Sequence, residues 1–199
     1  NDAEVAPPAP LPDCEQRLQE AGIEYQTIEF PLKQQLGGVF TCGTEQAVVF
    51  KKGPQDIRYN GRPRLTCAMA LALGRFETVA QELAQQQLGA KIKRITHAGT
   101  YSCRKMTRFT SMVSEHSYAN AIDISTFWLD DGRKVSVLRH FGKLEEPPKD
   151  ARSVFLRSLA RRLYDEDVFS VVLTPYFDAL HRDHFHLDLA RYRMDGTRP

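Results

Sequence analysis

A chain of 199 residues suits one domain, with or without an appendage, and is long enough to bury a real core. Its 42% hydrophobic and 26% charged residues are those of a soluble globular protein. A formal net charge of +2 is too small to argue for nucleic acid or an anionic membrane as partner, and no apolar run approaches the length of a transmembrane span.

In chain order, Asn1 to Pro12 holds four prolines and several alanines and reads as an extended tether, so residues 1–13 are set apart from a domain expected over 14–190. The start at Asn1 rather than Met leads us to expect that an upstream segment has been removed. A short helix is predicted from Cys14 to Ala21, stopped by Gly22. Apolar runs predict strands in Ile23 to Phe30 and Gly38 to Phe50, and Gly53 to Pro63 is turn-rich. Thr66 is placed to cap a helix whose stripe is Met69, Leu73, Phe76, Ala80 and Leu83, ending near Gly89. A stripe of this kind is core. Lys91 to Ala98 reads as a strand with Ile92 and Ile95 only loosely in phase. His97 and His140 are isolated and read as structural or surface residues.

Ile122 to Leu129 reads as a strand with Ile122, Ile124 and Trp128 on one face, which leaves Asp123 on the other. Asp131-Gly132 marks a hairpin, and Lys143 to Lys149 is a charged loop. Asp150 can cap a helix with Phe155, Leu159 and Leu163 on one face, and Val168 to Leu173 reads as a buried strand. Tyr176-Phe177-Asp178 lies in the turn before the last motif, and Arg191 to Pro199 reads as a loose tail. The order of elements predicts an α+β domain: an antiparallel sheet with helices on one face and a site on the other.

The four cysteines Cys14, Cys42, Cys67 and Cys103 have no Cys-x-x-Cys spacing, which disfavours a sulfur-ligated zinc. An even number favours two disulfides in an exported chain, expected as Cys14–Cys42 and Cys67–Cys103. Four buried thiols in a cytosolic protein are the alternative.

Half of the six histidines fall in His181-Arg182-Asp183-His184-Phe185-His186. As a strand, Phe185, Leu187 and Leu189 point to a core while His184, His186 and Asp188 point the other way. Upstream, Ser114-x-His116 is followed by Asp123, and pairing the two strands would stand Asp123 beside His186 with His116 reaching in from the preceding loop. Two imidazoles and a carboxylate with a fourth position open form the ligand set of a catalytic zinc site.

These motifs resemble the extensin-like C-terminal family of bacterial proteins, related to the zinc D-Ala-D-Ala metallopeptidases that cut peptidoglycan stem peptides. The first motif is Ser-x-His, six residues, then Asp, with Ala119 standing where a glycine is usual. The second is His184-Phe185-His186 with Asp183 three residues before the ligand histidine, and Tyr101-Ser102-Cys103-Arg104 matches a preceding Tyr-x-x-Arg. The resemblance covers roughly residues 60 to 190.

It implies a D-Ala-D-Ala metallopeptidase/hedgehog-like fold and Zn2+ held by His116, Asp123 and His186. It further implies hydrolysis of peptidoglycan stem peptides, as a DD- or LD-endopeptidase or carboxypeptidase of the bacterial envelope, periplasmic or extracellular. Asp183 takes the role of proton acceptor, and Glu115 ranks below it. His184 serves the oxyanion or the water, and Arg104 fixes a substrate carboxylate. His181 and Tyr176 are further candidates for substrate contact, and Ser114 supports the site. Two alternatives stand beside this: a zinc-containing wall-binding module without activity, and a zinc hydrolase of another ester or amide.

Overall fold

The computed structural model describes residues 6–35 and 40–199. The first helix, α1 (Cys14–Glu20), ends at Ala21 with Gly22 in the left-handed region at φ 69°. It is followed by β1 (Glu24–Ile28), β2 (Lys33–Gln35), β3 (Phe40–Cys42), β4 (Ala47–Lys52), β5 (Arg58–Tyr59) and β6 (Arg64–Thr66). The strand expected over 38–50 begins outside the described residues and is divided between β3 and β4.

Thr66 caps α2 (Cys67–Leu88) as its sequence foretold, its Oγ1 accepting from the Met69 N–H at 3.1 Å, and Gly89 ends the helix at φ 65°. Every residue of the predicted stripe is buried. Next come β7 (Ile92–Gly99), β8 (Ala121–Leu129), β9 (Lys134–Ser136), the single turn α3 (Val137–His140) and α4 (Ala151–Asp165). Asp150 caps α4 through the Ser153 N–H at 2.9 Å. The chain closes with β10 (Val171–Leu173), β11 (Phe185–Asp188) and β12 (Met194–Gly196).

The described residues form a mixed α+β arrangement. The main sheet runs β12-β10-β11-β8-β7-β5, with β9 also paired to β8, and it is antiparallel except for the two edge pairs β10–β12 and β5–β7. A three-stranded sheet β1-β4-β6 and a ladder of β2 with β3 stand beside it. α2 and α4 cover one face of the main sheet: Phe127 of β8 lies 6.4 Å from Phe76 of α2 and 5.3 Å from Phe155 of α4. Ile122, Ile124, Phe185 and Leu187 join the same core. Each buried Leu, Ile or Phe there contributes roughly 1.5–3 kcal/mol relative to exposure.

Three expectations are corrected. Trp128 does not share a face with Ile122 and Ile124. The pairing steps from Thr96–Thr126 to His97–Ile124, so Ser125 is an extra residue that reverses the inward side, and Phe127 and Leu129 are buried instead. Trp128 is sandwiched outside between Arg94 and Lys134. A second bulge, at Lys93, explains why Ile92 and Ile95 are both buried despite their odd spacing.

The supposed tail is structural. β12 pairs in parallel with β10, Thr197 is buried, and Asp195 binds Arg161 of α4, so the domain extends past residue 190. Short edge strands carry little periodicity, which is why the segment read as loose. At the other end, part of the proline-rich segment lies on the domain: Leu11 exchanges two hydrogen bonds with the Gln46 side chain.

The disulfides are Cys14–Cys67 and Cys42–Cys103, not the pairs expected from chain order. The first joins the starts of α1 and α2, which pack together; the second ties β3 to the loop after β7. No cysteine is left unpaired. Closing loops of this length stabilises by roughly 2–4 kcal/mol each.

One buried acid has a testable consequence. Glu77 of α2 is fully buried under the turn at Gly53, where a Cβ would come within 2.2 Å of the carboxyl group, and it accepts from the Gln55 N–H and the Tyr59 hydroxyl. Burial outweighs those two bonds and pushes its pKa up to about 7. The native state therefore binds the Glu77 proton more tightly than the unfolded chain. Its contribution is fully present below the ordinary carboxylate range and is lost as pH rises through about 7. Glu77→Gln, whose amide can both accept from Gln55 and donate to Tyr59, should remove this dependence. Relative to wild type, the variant should gain about 2–3 kcal/mol between pH 4 and pH 8. Parallel stability–pH curves from denaturant titrations would contradict it.

Candidate metal centre

His186 and Asp123 are direct cross-strand partners in the β11–β8 ladder. Alternation on β11 sends Phe185 and Leu187 to the core and His186 and Asp188 to the opposite face. His116 arrives from a 3-10 turn (Glu115–Tyr118) just before β8. The turn closes at Ala119, which is buried with φ 55°. A left-handed residue is required there, which accounts for the glycine usual at this point of the motif.

The three side chains converge. Asp123 Oδ1 lies 3.0 Å from His186 Nδ1 and its Oδ2 lies 3.2 Å from His116 Nε2, with the two ring nitrogens 3.2 Å apart. One donor atom from each falls within 4.8 Å of the others. Burial alone would raise the Asp123 pKa, but hydrogen bonds from His116 and His186 pull it far below the carboxylate range. Burial would likewise lower His186, yet its bonds to Asp123 and Asp188 hold its pKa up at about 10.

The remaining candidates fall into place unevenly. His184 Nε2 stands 3.8 Å from Asp123 Oδ1, while its Nδ1 is bound to Asp183 at 2.8 Å. Asp183 is thus one ring removed from the centre, on the solvent side. His184 and His181 line a cleft of about 210 Å³ that reaches Asp123 and His186, together with Arg104, Arg108 and Ser114. Met106, Phe109, Leu173, Phe177, Leu180 and Met194 supply its apolar walls. Ser117, not anticipated, holds Arg104 in place: its hydroxyl accepts from the Arg104 N–H and donates to the Arg104 carbonyl, both at 2.9 Å. The Cys42–Cys103 bridge fixes the same loop from the other side.

Tyr176 is a departure from expectation. Its ring packs on Phe141 and Arg157, and it lines a separate groove rather than this cleft, because Thr174 turns the chain away by accepting from the Tyr176 N–H. Glu115 is also turned away. It sits behind the centre on Asn120, its pKa raised to about 7 by burial and the neighbouring Asp188.

Two carboxylates named in the sequence, Asp178 and Asp188, had been given no individual role. Asp178 orients His181 through a 2.6 Å bond and accepts the N–H groups of Leu180 and His181, a capping pattern legible in its spacing. Asp188 binds His186 Nε2 at 2.8 Å, and its position two after His186 on the same strand face was the available signal.

A family model described as Extensin-like protein C-terminus matches residues 12–198. The chain belongs to this extensin-like family. Comparisons with curated proteins and with solved structures found no match. The extensin-like match includes β12, so family and fold agree that the domain reaches beyond residue 190.

Proposed function

We propose that this extensin-like domain is a zinc-dependent peptidoglycan hydrolase that cuts peptide bonds in stem peptides or their cross-links. The observation that carries this is the convergence of His116 Nε2, His186 Nδ1 and the Asp123 carboxylate, with Asp123 and His186 lining an open cleft. Two imidazole nitrogens and one carboxylate suit Zn2+, and the far nitrogen of His186 is already bound to a carboxylate, as zinc-ligating histidines usually are. When bound, zinc supplies Lewis acidity, lowering the pKa of water and polarising a carbonyl.

The chain's own groups do the rest. His184, held by Asp183, presents Nε2 toward the centre and carries a proton between the attacking water and the leaving amine, with Asp183 as the charge behind it. His181, fixed by Asp178, faces the same cleft and donates to the developing oxyanion. Arg108 is engaged by Asp178, which leaves Arg104 as the guanidinium for a substrate carboxylate. The fold relation to D-Ala-D-Ala metallopeptidases and a periplasmic or extracellular setting belong to this same reading. Two disulfides, and no helix among the described residues long and apolar enough to cross a membrane, agree with that setting.

Digestion of purified muropeptides, with products identified by mass, tests the reading: a new amino terminus or a released terminal residue is expected. Intact muropeptides that are nevertheless retained by the zinc-loaded protein would favour a wall-binding module. Arg104→Ala should keep zinc yet lose most of its kcat/KM on a stem peptide, and Arg104→Lys should recover only part. Amidating the substrate's terminal carboxylate should harm wild type far more than Arg104→Ala. Equal sensitivity would show that Arg104 does not read that group.

A further inference from the structure

We propose that Asp188 is a positioning residue that decides which nitrogen of His186 is offered to the metal. This rests on the zinc reading above. Asp188 is fully buried and both of its oxygens are committed: Oδ2 to His186 Nε2 at 2.8 Å and Oδ1 to the backbone N–H of Ala190 at 2.9 Å. A carboxylate only accepts, so Nε2 must carry a hydrogen, and the lone pair of the neutral ring falls on Nδ1, the atom beside Asp123 and His116. The Ala190 N–H is the fixed point. A backbone donor cannot reverse, so whatever replaces Asp188 must present an acceptor to it.

That constraint makes the isosteric amide the damaging substitution. In Asp188→Asn the amide oxygen is claimed by Ala190, and the NH2 group faces His186 Nε2. Nε2 must then accept, the hydrogen moves to Nδ1, and the ligand atom is blocked. Flipping the amide would set two donors face to face at Ala190. Asp188→Ala removes the partner of Nε2 but imposes no tautomer, although it leaves the Ala190 N–H unpaired and a cavity behind.

The two variants therefore separate positioning from packing. By competition with a chromophoric chelator, zinc affinity should fall in the order wild type, Ala, Asn, with Asn weaker than wild type by roughly 10- to 100-fold. Thermal stability of the metal-free proteins should fall in a different order: wild type, Asn, Ala. Zinc binding by Asp188→Asn within about threefold of wild type, well below the tenfold expected of such a partner, would overturn the proposal, as would an Ala variant that binds more weakly than Asn. If the Ala variant does not fold, the Asn affinity decides alone. Wild-type protein that binds no zinc would remove the zinc reading and this inference with it.

Discussion

His186→Ala should purify without zinc and leave stem peptides uncut. The substitution removes one of three donors and the only imidazole that links Asp123 to Asp188 among the described residues. Two donors do not hold a catalytic zinc, and activity should fall below detection rather than by a modest factor. The buried Asp188 also loses its ring partner, which costs about 1–3 kcal/mol or more, so the variant should melt earlier. His116→Ala is the companion that separates the two effects: it takes away a donor while leaving the His186–Asp188 bond in place. Both variants should lose the metal. Wild-type zinc content in either would mean that the ion is held elsewhere.

Asp183→Asn should keep its zinc and lose about 10²–10⁴ in kcat, the usual worth of a general acid–base group. In the structure Asp183 reaches Asp123 by way of His184, bonding its Nδ1 while Nε2 faces Asp123. An amide there stabilises a protonated His184 far less, so the ring becomes a poorer proton acceptor. His184→Ala should fall by a similar factor, and the double variant should be little worse than either single one, because the pair works as a unit. Additive losses would instead assign Asp183 and His184 separate tasks.

The centre was legible because its residues obey local rules. Strand alternation placed His186 and Asp188 opposite Phe185 and Leu187, and the register of β8 with β11 then set Asp123 against His186. Caps at Thr66 and Asp150 and the stop at Gly89 are likewise set by a few neighbouring atoms. What could not be read was long-range or irregular. Disulfide partners depend on which element starts come together, and four cysteines allow three pairings. The bulge at Ser125 reverses the inward face without any glycine or proline to mark it. Tyr176 is adjacent in sequence to cleft residue Phe177 yet faces another groove, since neighbouring residues in a turn diverge. Asp188 was placed on the face of His186, but its bond from the Ala190 N–H could not be read from alternation.

The most direct test of the central claim is anomalous diffraction at the zinc edge from crystals of protein purified without chelator. A single strong peak is expected at the floor of the cleft, about 2.0–2.2 Å from His116 Nε2, His186 Nδ1 and an oxygen of Asp123. A peak bound by other residues, or zinc-saturated crystals with no peak at these three, would contradict the account.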